Sequence, residues 1–182
     1  MPFSELGVFA LVVVVLFALA RWLRRIRIYF DRSWLPPDLQ DAELVYVERL
    51  FRVTEPFPIV ARLDRGYRGP NGVIALVELK TRRANRPYLS DVIELSAQRF
   101  ALQAQTGQRV ADYGYVLIRR SEGGARVLHR VNLLSTEQVF AVALRREAIL
   151  EGRAIPRCTL SKGLCARCAF EQQCKQTVDG RA

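Results

Sequence analysis

Cysteine is scarce and confined: the 182-residue chain has four, all within its last 25 residues. Four cysteines are too few for a disulfide-dense scaffold, and their clustering is more like a metal site than scattered bridges. No segment repeats and none is of low complexity, so repeat architectures are excluded. Acidic side chains are the minority charge, 18 against 28 Lys and Arg, which leaves a net charge of +10. With an isoelectric point of about 10.1, the chain is suited to an anionic partner, nucleic acid or acidic lipid. Half of the residues are hydrophobic and a quarter charged, a balance that disordered and collagen-like chains lack. The length accommodates one domain with an appendage rather than two full domains.

The longest apolar run is Leu6–Ala20, 15 residues without a charge. Trp22 and Leu23 extend it past Arg21, whose long side chain can snorkel. A membrane span takes about 17–25 residues. Arg21, Arg24, Arg25 and Arg27 follow the run, whereas Glu5 is the one charged side chain before it. The positive-inside rule then predicts a single-pass membrane protein, anchored through residues 1–28, with its body in the cytoplasm. Ala18-Leu19-Ala20 resembles a signal-peptidase site, but a signal peptide carries its basic residues before the apolar stretch. The uninterrupted Val12–Val15 leaves no polar face, unlike a soluble amphipathic helix.

Residues 29–40 read as a linker closed by Pro36-Pro37. A helix is predicted over 40–52, with Leu44, Val47, Leu50 and Phe51 on one face. Ile59–Tyr67 and Val73–Lys80 read as strands joined by the turn Gly69-Pro70-Asn71-Gly72. A basic loop, Thr81–Pro87, leads to a helix over 89–105. Strands follow at Arg109–Arg119 and Ala125–Leu133, around a turn at Glu122-Gly123-Gly124. A last helix starts at Ser135 or Thr136, where Ser135 and Gln138 have capping-box spacing, and runs to about Glu151. The order α-β-β-α-β-β-α describes an α/β or α+β domain over 41–152 around a central sheet. A polar, cysteine-bearing tail, 153–182, follows it.

The first hairpin carries the sharpest chemistry. Side chains alternate along a strand, so Glu78 and Lys80 share a face. The neighbouring strand can bring Asp64 beside Glu78. Two carboxylates suit a hard divalent ion, which polarises a phosphoryl oxygen and acidifies a bound water. A lysine beside the ion can neutralise charge developing on phosphate. Exposed Glu–Lys pairs on one strand face are also ordinary structural features.

Asp64, a 13-residue gap and then Glu78-Leu79-Lys80 resemble the D…(D/E)-x-K core of the PD-(D/E)XK nuclease superfamily. The apolar strand before Glu78 and Thr81-Arg82 after Lys80 are similar to its RecB-like branch. The resemblance spans about residues 40–174. It implies a restriction-endonuclease-like core with a mixed sheet flanked by helices. It further implies Asp64 and Glu78 as ligands of Mg²⁺ or Mn²⁺, with Lys80 as the catalytic lysine. The preceding helix would add a third acid, Glu48, with Glu43 as second choice. Members often carry a histidine there; the one histidine of this chain, His129, lies far downstream. The family's Gln-x-x-x-Tyr is matched by Glu94-Leu-Ser-Ala-Gln98, where Gln98 is the preferred functional residue.

Cys158, Cys165, Cys168 and Cys174 follow the spacing C-x6-C-x2-C-x5-C. Cytoplasmic disulfides are disfavoured, and four thiolates this close can hold Zn²⁺ or a [4Fe–4S] cluster. Spacing alone leaves that choice open. The stretch Cys165–Cys174 resembles the C-x2-C-x5-C end of RecB-like nucleases that carry an iron–sulfur cluster, such as the CRISPR-adaptation exonucleases. That resemblance implies a structural [4Fe–4S] cluster with Cys158 as fourth ligand, and Zn²⁺ as the alternative.

Arg62, Arg82 and Arg83 are candidate phosphate contacts, and Tyr88 a candidate stacking surface for an unpaired base. For any one arginine, a solvated basic surface is the plainer reading. The sequence thus predicts a membrane-anchored, metal-dependent deoxyribonuclease, exonuclease-like, acting on single strands or ends. Two alternatives stay open: a catalytically inactive nucleic-acid-binding module of the same fold, and a membrane-tethered metal or redox sensor.

Overall fold

The computed structural model describes residues 12–23, 34–120, 126–156, 162–165, 168, 169 and 171. It divides into two compact units, Met1–Val139 and Phe140–Ala182.

The first unit is built on five strands: β1 (Glu43–Val53), β2 (Ile59–Arg68), β3 (Ile74–Thr81), β4 (Val110–Arg119) and β5 (Arg126–Asn132). Their order in the sheet is β1-β2-β3-β4-β5. All neighbours are antiparallel except β3 and β4, which are parallel. A parallel pair needs a crossover connection, and here it is helix α2 (Leu89–Thr106). Gly107 stops α2 in the left-handed conformation, at φ 69°, which glycine adopts at no steric cost. The result is a mixed five-stranded sheet of the α+β class.

Central β3 is buried from Ile74 to Val77, as a strand covered on both faces requires. Ile74 and Leu76 pack with Leu95, Ala101 and Leu102 of α2. Ala75 and Val77 face the other way, into a second cluster with Leu35, Leu39 and Tyr67. Residues read from sequence as a linker thus supply the second core, through a short 3₁₀ turn at Pro37–Leu39.

The predicted helix over 40–52 is the strand β1. Its antiparallel pairing with β2 runs from Glu43↔Arg68 to Val53↔Ile59. Valines, tyrosine and phenylalanine favour a pleated, half-buried surface, and pairing with β2 satisfies the backbone. The other predicted strands and the helix at 89–105 lie where the sequence puts them. The turn at 122–124 is outside the described residues.

Helix α3 (Thr136–Leu150) begins with the expected capping box. The Gln138 N–H donates to Ser135 Oγ at 3.3 Å, and the Ser135 N–H donates to Gln138 Oε1 at 2.9 Å. Helix α4 (Lys162–Cys165) belongs to the second unit.

Residues 12–23 are helical (α1), with exposed apolar side chains from Val12 to Leu23. Among the described residues no helix is long and apolar enough to cross a membrane, so the expected transmembrane helix is not supported. The rest of that segment, 1–11 and 24–28, is outside the described residues.

Candidate active site

The site grows from the point where β2 and β3 part. Their turn is closed by Gly72 N–H to Gly69 O and Gly69 N–H to Val73 O, both 2.9 Å. Pairing then runs from Arg68↔Ile74 to Arg65↔Val77. One residue beyond Arg65, the Asp64 side chain replaces the strand ladder: Asp64 Oδ2 accepts the Leu79 N–H at 2.8 Å. This anchors the Asp64 carboxylate at the level of Glu78 and Lys80.

The strand alternation slips at the same level. A Cβ added to Gly66 would stand 3.2 Å from the Leu63 side chain and 3.2 Å from Tyr46. Residues 63 and 66 therefore share a face, although three apart. On β1, Val47 pairs with Arg65 and Arg49 with Leu63, so Glu48 falls opposite Asp64. Glu48 takes φ 49°, a left-handed conformation that costs a side-chain-bearing residue about 1–2 kcal/mol. Glu48 is therefore on a strand and exposed, not on a helix. Among the described residues no group of three or more His, Cys, Asp or Glu side chains is gathered to hold a metal. Glu43, the second choice, starts β1 and lies 3.8 Å from Arg68.

Glu78 and Lys80 share the α2 face, as alternation predicts. Lys80 Nζ lies 2.7 Å from Glu78 Oε1 and 2.7 Å from Glu94 Oε2 of α2. One helical turn on, Gln98 Nε2 donates to Glu78 Oε2 at 2.7 Å and to the Arg62 carbonyl at 3.0 Å. The Arg62 carbonyl accepts only, so the amide orientation is fixed. Gln98 is buried, and among the described residues its Oε1 has no hydrogen-bond partner. Positions i and i+4 lie on one helix face, so Glu94 and Gln98 serve one site. Sequence reasoning preferred Gln98 and missed that Glu94 holds Lys80, though the helical spacing carried that signal.

Burial raises the Glu78 pKa from 4.5 to about 7; the charges of Asp64 and Glu94 add to this, while hydrogen bonds from Lys80 and Gln98 oppose it. Burial works against the Lys80 charge, but the Glu78 and Glu94 carboxylates outweigh it and hold the ammonium above its usual range. The carboxylates of Asp64 and Glu78 fit a hard divalent cation: Mg²⁺ typically takes one or two carboxylates and keeps several waters. A cation there would also relieve the repulsion between the two acids.

Of the candidate nucleic-acid contacts, Arg62 and Arg83 are exposed. Arg82 is engaged in the protein: its guanidinium grips Asp91 at 2.5 and 3.3 Å and sits 4.3 Å from the Tyr88 ring centroid. Tyr88 is 38% exposed and has Arg86 5.4 Å from its ring as well. Cys158 and Cys174 lie outside the described residues; Cys165 closes α4, and Cys168 is exposed and bonded to no other cysteine among the described residues.

No protein-family model matches the chain, and no curated protein matches it. Solved structures do. One is SSO0001, 18% identical over 72% of this chain and 56% of that one, with a TM-score of 0.43. Another is a candidate exonuclease from Eubacterium rectale, 13% identical over 79% of this chain and 58% of that one, with a TM-score of 0.45. The chain thus spans a little over half the length of either structure, and its structural similarity to both is weak.

Proposed function

We propose that the chain is a metal-dependent nuclease that hydrolyses phosphodiester bonds of DNA, with Asp64, Glu78, Lys80 and Gln98 as its working residues. The observation that carries this reading is the buried Glu78, hydrogen-bonded by Lys80 and Gln98 and facing the charge of Asp64. Asp64 and Glu78 would hold Mg²⁺ or Mn²⁺. When bound, such an ion would polarise a phosphoryl oxygen and acidify a water.

The side chains do the rest. Gln98 fixes the Glu78 carboxylate by donating to it from a buried amide. Glu94 positions the Lys80 ammonium. The Glu78 and Glu94 carboxylates favour its charged form, so Lys80 would serve as a cation and hydrogen-bond donor. It faces the negative charge that builds on phosphate as water adds to phosphorus and the P–O bond to the leaving oxygen breaks.

The remaining parts of the reading rest on sequence. The apolar N-terminus would tether the protein to the cytoplasmic face of a membrane. Cys158, Cys165, Cys168 and Cys174 would hold a structural [4Fe–4S] cluster, or Zn²⁺. Single strands or ends of DNA would be the substrate. A non-catalytic nucleic-acid-binding module is the second reading, favoured by the capture of Lys80 between two carboxylates and by the ungathered Glu48.

The test uses the full chain, purified anaerobically in detergent, on labelled single- and double-stranded DNA with Mg²⁺, Mn²⁺ or chelator. Cutting should require metal, and Lys80→Ala should lower its rate by roughly a hundredfold or more, the scale of a lost charge-stabilising donor. Folded protein that binds DNA without cutting it would establish the binding module instead. Iron and sulfide analysis against zinc analysis of the same preparation decides between the cluster and Zn²⁺.

A further inference from the structure

Pairing of β2 with β3 covers Arg65 to Arg68, whereas its pairing with β1 continues outward to Ile59. From Asp64 to Ile59 the two strands therefore form a ribbon that runs out from the site. One face of the ribbon is closed: Phe51, Ala61 and Leu63 are buried in the core with Leu95 and Leu102 of α2. The opposite face is open. Leu50 pairs with Arg62, and Arg52 with Val60; directly opposed residues share a face, so these four side chains stand together on it. Arg52, Val60 and Arg62 are exposed, and the four positions hold two arginines and no acid. Both arginines are fixed through their backbones. The Arg52 N–H donates to Gln105 Oε1 of α2 at 2.9 Å, and the Arg62 carbonyl accepts from Gln98 Nε2 at 3.0 Å. The ribbon is a fixed platform that leaves its arginine side chains to solvent.

The alternation leads from these residues to the site. Asp64 is two residues inward from Arg62, about 7 Å along the strand, and Val60, opposite Arg52, is about 7 Å outward. Arg52 and Arg62 are diagonal neighbours, about 7–8 Å apart at the backbone, a step comparable to the separation of successive phosphates on one strand. A flat acidic lipid surface laid on this face would press its headgroups onto Glu48 and Asp64 as well. A strand reaches those acids at one phosphate, where Asp64 and Glu78 would hold the cation. We propose that the outer face of the β1–β2 ribbon is a track for one nucleic-acid strand, with Arg62 and Arg52 on successive phosphates leading away from Asp64. The proposal deepens the nuclease reading and rests on it for the scissile bond at Asp64, but not for the hold of the ribbon on the strand.

Anisotropy of a labelled DNA single strand with the full chain, in detergent and chelator, tests this. Arg52→Gln combined with Arg62→Gln should weaken binding by roughly tenfold or more at about 0.1 M salt, and should make the slope of log affinity against log salt shallower by about 1.4, two contacts at about 0.7 each. Arg109→Gln combined with Arg146→Gln removes the same charge from exposed positions elsewhere and should change affinity by less than about threefold, since neither touches the track. All four side chains are exposed, and the bonds that fix Arg52 and Arg62 are backbone bonds, so the variants keep the fold. Equal weakening by the two pairs overturns the proposal in favour of overall charge. A ribbon variant that keeps its DNA affinity but loses binding to mixed micelles containing phosphatidylserine overturns it and assigns the face to lipid. Unchanged DNA affinity of the ribbon variant, in protein whose wild type cuts, overturns the track while leaving the nuclease reading intact. Binding that needs the ribbon pair, in protein that does not cut, upholds the track and removes the nuclease.

Discussion

Glu78 shows how far single residues carry the chemistry. Its position beside Lys80 follows from strand alternation, which needs only the sequence. Its pKa does not, because the shift comes from burial under α2, together with the charges of Asp64 and Glu94. A carboxyl whose pKa rises on folding binds its proton more tightly in the native state. Its contribution to stability is therefore full below about 4.5, the ordinary value, and is lost as pH rises through about 7. The slope from one such group reaches about 1.4 kcal/mol per pH unit. In metal-free buffer, the stability of the wild type relative to Glu78→Gln should fall as pH rises from about 5 to 7. Thermal unfolding of the two proteins across that range measures it. At neutral pH, Mg²⁺ or Mn²⁺ should raise the unfolding temperature of the wild type and leave Glu78→Gln unchanged. A parallel response of both proteins would remove Glu78 from the metal site.

At the scale of elements, most strands and helices were legible from their periodicity and the turn residues that flank them. β1 was not. A register irregularity between Leu44 and Tyr46 and the left-handed Glu48 interrupt its two-residue alternation. The apolar positions 44, 47, 50 and 51 then mimic a helical stripe, and the sequence reads as a helix. The register irregularity lies opposite Tyr67 and Gly66, and the left-handed Glu48 lies opposite Asp64, so one of the two features that hid the strand also marks the site. The loop from β3 to α2 is fastened by a different device. Asp91, at the third position of α2, accepts the Tyr88 N–H at 2.7 Å and a two-pronged grip from Arg82. Burial works upward on the Asp91 pKa, but the Arg82 and Tyr88 hydrogen bonds outweigh it and hold it below the usual carboxylate value. Removing one partner of such a pair strands the other charge. Asp91→Ala should cost about 3 kcal/mol in urea unfolding. Replacing Arg82 and Asp91 together by leucines should cost less than Asp91→Ala alone. A double variant less stable than the single one would show that the pair is not the fastening. The sequence suggested Arg82 as a DNA contact because the pairing with Asp91, nine residues on, depends on the loop's path.

Over the whole molecule, the charge of +10 points to an anionic partner without saying how much of it acts locally. The structure separates its arginines. Arg65 is buried against Trp34, and Arg82 is held by Asp91. Arg62, Arg83 and Arg119 are exposed around the hairpin ends. If three or four cations contact phosphates, counterion release sets the slope of log affinity against log salt. At about −0.7 per phosphate on a single strand, that slope is about −2 to −3. Engagement of about ten phosphates, a number matching the net charge, would give about −7 instead. Fluorescence anisotropy of a labelled single strand over a salt series, in chelator so that no cutting occurs, separates the two. A slope near −2 to −3 that becomes shallower by about 0.7 for each exposed arginine replaced would place binding at the site. A slope near −7, insensitive to single replacements, would mean that the protein holds DNA by its overall charge, and that the acidic cluster does not lie on the path of the strand.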